Sequence, residues 1–417
     1  MGNNAATAIT NPMKIFTLLI GLLAVGALHA QRCAANFSYD AAKEAAIQNW
    51  IADHRSPLEA RTTVTIPVVV HIVWRLPEQQ ISEAQVLSQI EVLNQDFRAL
   101  NEDLSQVPEA DFQDDIADLE IEFCLAQQTP DGEPTSGITY TQTTLPNVGT
   151  TIIGGESVIF YSALGGQDAW DPSRYLNIWV GERAFACGKG IFPNEATPEE
   201  DGVIIRYDCF GTTGTATPPY HLGRTTTHEI GHYLNLLHPW GGGNEDLLCI
   251  DDDQVEDTPS QAFNYMNQCP VHPQVSCGSR DMFMNFMNLC DDPCLNMFTA
   301  GQKERVWAAL NLFRPGLLES NGCQAPPVDA VFENPLSNQI RLLNQPARDQ
   351  LAIKLEHTSL LPLRIRLFQL NGQLLVEEKW EHSDLFSLNC AYLNTGIYFL
   401  VVENQTYSWG SNVLVQR

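Results

Sequence analysis

The segment Thr227-His228-Glu229-Ile230-Gly231-His232-Tyr233-Leu234-Asn235-Leu236-Leu237-His238 constrains this chain more than any other. Two histidines four apart lie on one face of an α-helix, about one turn from each other. Their imidazoles can share one tetrahedral metal, and Zn²⁺ is the usual one. Glu229 follows the first histidine and points to a different part of the helix surface. There it can hold a water in the open coordination position and take its proton. His238 imposes a stronger condition. On a continuous helix it would stand roughly 240° around the axis from His232, at about 100° per residue. To serve the same metal it needs a helix that stops in between. Asn235 is the expected stop, because asparagine is the best non-glycine residue for the left-handed conformation that closes a helix. The competing reading is a helix with chance histidines. A third histidine at this offset, with a methionine segment downstream, argues for a zinc protease instead.

The rest of the chain sets the context. Its 417 residues are 44% hydrophobic, enough for a large core and two or three domains. A net charge of −27 argues against nucleic-acid binding and fits a secreted protein, one able to hold Ca²⁺. Residues 1–30 read as a signal peptide. Lys14 supplies the positive charge, Ile15 to Ala27 the apolar run, and Ala30 a small residue before Gln31. That run is too short to cross a bilayer and no other stretch is long and apolar enough, so no transmembrane span is expected. All eleven cysteines follow the signal, as disulfide candidates in an oxidising compartment. The odd number leaves at least one over. Cys33, alone near the mature N-terminus, reads either as a thiolate that blocks the zinc in a pro-form or as a free or mispaired thiol.

Residues 31–62 read as a pro-segment, helical from Ala41 to Ile51. Ile66 to Trp74 is a β-branched run, hence a buried strand. His71 within it has no partner at metal spacing and reads as a core histidine. Ser82 to Leu100 is an amphipathic helix with a Ser82/Gln85 capping box and a stripe of Val86, Ile90, Leu93 and Phe97. Strands follow at Leu119–Leu125, Tyr175–Val180 and Gly202–Tyr207, and Cys187 and Cys209 are placed to bridge the last two regions. This order predicts an α/β sheet with helices packed on it and the metal site below one edge strand. Such an edge either accepts an extended peptide as an added strand or is covered by a loop. After the metal helix, Gly241-Gly242-Gly243 opens a loop with Asp251, Asp252, Asp253, Glu256 and Asp257. The loop is either a Ca²⁺ site or a solvated acidic run. Met287 is a candidate for an apolar floor beneath the imidazoles, with core packing as the alternative. Thr299 and Gln302 cap a final helix through Leu310.

The metal segment resembles the metzincin signature H-E-x-x-H-x-x-G-x-x-H with its Met-turn, Asn235 replacing the glycine. IPVVVHIVW, the ISEAQVLSQIEVLNQDF helix, LEIEFCLA, YLNIWV, HEIGHYLNLLH, VEDTP and NFMNLCDDPCLNMFTAGQ together resemble the pappalysin family of metzincins, in its cytophagalysin branch. The resemblance covers roughly Thr63 to Cys323. It implies a mixed-sheet α/β (α+β) catalytic domain with an active-site helix. It also implies His228, His232 and His238 as zinc ligands, Glu229 as catalytic glutamate and Met287 as the Met-turn residue. Calcium is implied in the loops after the metal helix. The family's disulfides imply Cys249 with Cys277 and Cys269 with Cys294, leaving Cys290 without a place. One departure matters. Family members carry a tyrosine two residues after the Met-turn methionine, where it helps bind the reacting carbonyl. This chain has Leu289, which cannot donate a hydrogen bond. Losing one such donor costs on the order of 10²-fold in rate.

Residues 324–333, with a Pro-Pro pair, read as a linker. Beyond it, QIRLL, QLAIKL, LRIRLFQL, QLLVEEKW, GIYFLVV and NVLVQR alternate as short strands, with Asn371-Gly372 as a hairpin signal. A small all-β sandwich is expected over 334–417. Its Asn334-Pro335, hairpin and Gly396-Ile397-Tyr398 resemble the C-terminal sorting domain of bacterial type IX secretion, which implies that secretion machinery as a partner. A generic adhesion or carbohydrate-binding sandwich is the alternative. The sequence thus describes a secreted or surface-attached zinc endopeptidase acting on protein or peptide substrates, with the catalytic domain over 63–323. The rival is a catalytically weak surface protein that retains its zinc site. A third reading takes an acid of the 251–257 run as the last metal ligand.

Overall fold

The longest β-branched run becomes an interior strand of a sheet. The structure is a computed structural model that describes residues 31–35, 37–54, 62–108, 110–193, 195–243, 246–326, 336, 339–369, 373–404 and 407–417. Gln31–Cys33 (β1) and Ala41–His54 (α1) open the described chain. Val64–Trp74 (β2) is buried on both faces from Ile66 to Val73, as a strand flanked on both sides must be. It lies parallel to Ile121–Leu125 (β3) through its first half and to Ile138–Gln142 (β4) through its second. On its other side runs Leu176–Gly181 (β5), also parallel. Gly202–Arg206 (β7) continues parallel to β5, and Ala186–Gly190 (β6) then pairs antiparallel with β7. β1 lies parallel on the free edge of β6, completing seven strands in the order β1-β6-β7-β5-β2-β3, with β4 also on β2.

Three of these strands, β1, β4 and β6, are absent from the sequence expectation. β4 is ITYTQ, half exposed and without a β-branched core run. β6 is ACGKG, and its glycines are there for a reason given below. His71 donates and accepts within the sheet, with Nδ1 2.8 Å from Thr139 Oγ1 and Nε2 3.0 Å from Asn177 Oδ1. Burial pushes its pKa down to about 4, so it is a neutral core histidine.

Glu83–Phe97 (α2) packs Val86, Ile90, Leu93 and Phe97 into the main core. Ser82 caps it, its Oγ accepting from Gln85 N at 3.2 Å. The expected capping box is only half present. The Gln85 amide donates instead to Tyr207 O (3.1 Å) and Phe210 O (2.8 Å), tying the helix to the turn after β7. Ala300–Phe313 (α4) carries the full Thr299/Gln302 box, and α1 lies against it. Disulfides join Cys187 to Cys209, Cys249 to Cys277 and Cys269 to Cys294. A fourth, Cys124–Cys323, was not anticipated and closes the far end of this unit on β3. Among the described residues Cys33, Cys290 and Cys390 are free, and all three are buried.

The chain divides into two units, 1–326 and 327–417. In the second, Ile340–Leu342 (β8), Gln350–Leu355 (β9) and Leu385–Asn389 (β12) form one sheet. Leu363–Gln369 (β10), Leu374–Trp380 (β11), Gly396–Glu403 (β13) and Ser408–Val415 (β14) form the other. Leu351, Ile353, Ile365, Trp380, Leu400 and Val413 fill its own core. β10 and β11 pair antiparallel and Gln369 N donates to Gln373 O, but Asn371-Gly372 between them lies outside the described residues. So do residues 1–30, expected as a signal peptide, and Asn334-Pro335. Among the described residues no helix is long and apolar enough to cross a membrane.

Candidate metal and peptide-binding site

Arg224–Tyr233 (α3) carries the first two histidines and is buried along its whole length, although its sequence is mostly polar. Buried polar groups need partners, and two threonines and the arginine of this helix find theirs outside it. Thr226 Oγ1 donates to Gln89 Oε1 (2.8 Å), and Thr227 Oγ1 to Asp96 Oδ2 (2.6 Å), both on α2. Arg224 pairs with Asp96 and Asp103. α3 is therefore locked to α2 before any metal is considered.

The helix ends where the sequence predicts. Asn235 has φ 68°, Leu236 N donates to Gly231 O (2.8 Å) and Asn235 N to His232 O (2.9 Å). This pair of bonds around a left-handed residue is the Schellman closure. The reversed chain brings His238 Nε2 to 3.1 Å from His232 Nε2. Trp240 stacks on the His238 ring with centroids 4.6 Å apart. Met287 lies under the helix: a Cβ on Gly231 would stand 2.3 Å from its Sδ. The preceding carbonyl, Phe286 O, accepts from His228 Nδ1 at 2.8 Å.

The protonation pattern follows from these partners. His228 Nδ1 donates to Phe286 O and His232 Nδ1 to Leu236 O, both 2.8 Å. Carbonyl oxygens only accept, so each Nε2 carries a lone pair. Burial and the neighbouring imidazoles push His228 well below its ordinary pKa, and burial does the same to His238 and brings His232 to about 4. Neutral imidazoles with converging lone pairs repel one another unless a cation sits between them. His228 Nε2 and Glu229 Oε1 are buried polar atoms with no hydrogen-bond partner. The donor set fits Zn²⁺. Burial pushes the Glu229 carboxyl up to about 7, against the amide of Gly190 and the charge of Arg183. Gly190 N donates to Glu229 Oε2 at 2.6 Å. A Cβ on Gly188 would stand 2.4 Å from Glu229 Oε1, and one on Gly190 2.3 Å from Glu229 O. β6 is glycine-rich because α3 passes directly beneath it.

The N-terminal strand β1 occupies the free edge. β1 pairs Gln31 with Ala186 and Cys33 with Gly188. This puts Cys33 Sγ 3.4 Å from His232 Nε2 and 3.6 Å from Glu229 Oε2. Ligand atoms of Cys33, His228, His232 and His238 all lie within 4.8 Å of one another. Cys33 also packs against Trp240 and Leu289. Its neighbour Arg32, which sequence reasoning passed over, is fully buried. Arg32 donates to Cys290 O (2.7 Å), to Asp292 Oδ1 (2.6 Å) and to Thr225 Oγ1 (3.4 Å), and lies 4.8 Å over the Tyr220 ring. The other Asp292 oxygen accepts from Leu222 N at 2.7 Å, so this carboxylate is fixed by the body of the domain.

The acidic run does not converge in the same way. Asp251 accepts from Gly242 N, Asp253 from Thr258 Oγ1 and Val255 N, and Asp257 from Thr299 Oγ1 and Gly301 N. Among the described residues the Cys33–histidine cluster is the only group of metal-type ligands gathered this closely.

Comparison with known proteins agrees with this geometry. Residues 163–311 match the peptidase family described as pregnancy-associated plasma protein-A, and residues 345–416 a secretion system C-terminal sorting domain. An extracellular metalloprotease of Arthroderma otae is 39% identical over 127 residues, 30% of this chain and 44% of that protein. The chain thus spans less than half the length of the first curated relatives it matches. Mature mirolysin of Tannerella forsythia, solved with a cleaved peptide, is 40% identical, with a TM-score of 0.58 over 62% of this chain and 96% of that one. A promirolysin mutant from the same organism is 36% identical, with a TM-score of 0.60 over 69% and 97%. With a mixed α/β sheet unit like that of mirolysin, a small all-β unit after it and these motifs in place, the chain belongs to the pappalysin family of peptidases, that of pregnancy-associated plasma protein-A.

Proposed function

We propose that this protein is a zinc-dependent endopeptidase, exported and held latent by its own N-terminal segment. The observation that carries the reading is the convergence of three buried imidazoles, of which His228 and His232 have their Nδ1 committed to carbonyls, beside a buried carboxylate with one oxygen unpartnered. His228, His232 and His238 would hold a zinc ion, which would supply the Lewis acidity to acidify a water and polarise a peptide carbonyl. Glu229, fixed through Oε2 by Gly190 N, takes the water proton on Oε1 and passes it to the leaving amine. The edge of β6 binds the substrate backbone, as it binds β1 here. Cys33 is the blocking group of the latent form. Its thiol is pushed up by burial and by the charge of Glu229, and a cation at the imidazoles would reverse that.

Arg32 points to the substrate. A peptide lying along β6 with a residue at the metal places the next side chain in the pocket of Asp292, Cys290 O and Tyr220. A basic residue beside the scissile bond fits it. Export through type IX secretion follows from the sorting domain at 345–416, with that machinery as partner. Calcium has less support, since Asp251 and Asp253 accept from nearby loop groups and Asp257 from Thr299 and Gly301 at the start of α4.

The test is cleavage of a denatured protein mixture by protein freed of residues 31–62, with zinc content measured and with Glu229→Ala and a chelator as controls. Cutting that both controls abolish, at basic residues, is expected. A folded, zinc-loaded protein that cuts nothing overturns the reading. It would favour the catalytically weak surface protein, with Leu289 as the missing donor.

A further inference from the structure

We propose a second side-chain subsite, selective for an aromatic residue, on the opposite side of the metal ligands from the Asp292 pocket. It rests on the peptidase reading above and adds to it a substrate with two anchors. The pro-segment is a peptide lying in the cleft, so the places where its side chains seat are places where substrate side chains can seat. Cys33 stands at the imidazoles, and Ala34 N donates to Gly188 O at 3.0 Å. The chain then passes the end of β6 towards Phe192, two residues beyond Gly190.

There the Phe37 ring meets Phe192 edge to face, with centroids 5.2 Å apart and planes at 63°. This is the arrangement that aromatic quadrupoles favour. Phe192 is 1% exposed and its ring also lies 5.0 Å from that of His232, so the contact sits at the metal site itself. The other wall is Gly242. A Cβ there would come to 3.0 Å from Phe37 Cδ1, so glycine is what leaves room for the ring. Gly242 is held in place, its amide donating to Asp251 Oδ2 at 3.1 Å. Once the pro-segment is gone, the face of Phe192 and the backbone of Gly242 remain as an apolar slot. An aromatic side chain of the substrate refills it. Arg32 and Phe37 flank Cys33 along one chain. A substrate running along β6 in either sense therefore meets the acidic pocket on one side of the metal and the aromatic slot on the other.

The alternative is that Phe37 only helps the pro-segment to pack. The two are separated with mature, zinc-loaded enzyme, from which residues 31–62 are absent. Peptides keep arginine beside the cut, and each of the four positions across the bond is varied among Phe, Leu, Ala and Asp. Phe over Ala is expected to raise kcat/KM by about 10-fold at one of these positions. Phe192→Ala and Gly242→Val should each bring that ratio below about 2 while arginine dependence persists. Because Phe192 touches His232, zinc content is measured in parallel. Where Phe192→Ala loses metal, Gly242→Val on the opposite wall decides. A flat response across all four positions, or a preference that survives Gly242→Val, overturns the subsite and leaves the peptidase intact. No cutting of any peptide by zinc-loaded enzyme removes the peptidase reading and this subsite with it.

Discussion

Removing Glu44 should make the latent form leak. Glu44 lies on α1, in the segment proposed to hold the protein latent, and pairs through both oxygens with Arg305 of α4, at 2.8 and 2.7 Å. Both side chains are buried, at 1% exposure for Arg305 and 9% for Glu44. Arg305 uses its remaining Nε on Asn235 O, 2.8 Å away, at the turn that delivers His238. Taking one partner from a buried pair strands the other charge and costs about 3–5 kcal/mol. In Glu44→Ala the stranded guanidinium exists only while the pro-segment is docked, so the cost falls on the closed state. At 1.4 kcal/mol per tenfold, the lower figure shifts the closed-to-open ratio by on the order of 10²-fold. The assay is hydrolysis of an arginine peptide by uncleaved protein, expressed against the same protein after removal of residues 31–62. The mature form of the variant is identical to wild type, which isolates the effect on latency. Glu44→Gln, which can still accept one of the two bonds, should fall between. Basal activity of the uncleaved Glu44→Ala protein within about 3-fold of wild type would refute the assignment of this pair as a latch.

Acid should loosen the same latch. Burial raises the Glu44 carboxyl, but the hydrogen bonds and charge of Arg305 outweigh it, so its docked pKa lies below the ordinary 4.5. A lowered pKa contributes docking stability that is present above the ordinary value and lost as pH falls through the docked one. Susceptibility of the 31–62 segment to a second protease, measured from pH 6 to 3 on Glu229→Ala protein, should therefore rise below about pH 4.5. Glu44→Gln should remove that step. Asp292→Asn should lower kcat/KM for arginine peptides by roughly 10- to 100-fold, the worth of a charged hydrogen bond, and unchanged kinetics would exclude Asp292 as the anchor. Leu289→Tyr in the mature enzyme should raise kcat, by up to about 10²-fold if the lost donor limits the rate. No gain would show that another group serves. Gly188→Ala should abolish activity, since its Cβ would stand 2.4 Å from Glu229 Oε1. A variant that cuts normally would mean that this carboxylate is not held where it is seen.

What the sequence makes legible here is what is written at short range. The i, i+4 histidines, the asparagine that closes the helix, the β-branched β2 and the Thr299/Gln302 cap each state their geometry within a dozen residues. The opposite holds for β6. Strand preference comes from side chains that fit a pleated surface, and ACGKG offers almost none. Its glycines are fixed by Glu229, some forty residues on, which no local pattern reveals. Gln85 shows the same conflict in reverse. Its position three residues after Ser82 reads as a cap, yet its amide meets the carbonyls of Tyr207 and Phe210, a tertiary demand that overrides the local one. Cys33 drew notice only because thiolate chemistry is distinctive. Arg32, beside it, drew none, because a single arginine is ordinary until Asp292 is known to face it. The N-terminal segment illustrates why. Its residues take their meaning from the cleft that they fill, and that cleft is assembled from β6, α3 and the Met-turn region over a hundred residues. A latent peptidase therefore spells out its metal in one motif but its substrate only in three dimensions. On the proposed reading, the clearest copy of that substrate in this chain is the N-terminal segment lying along β6.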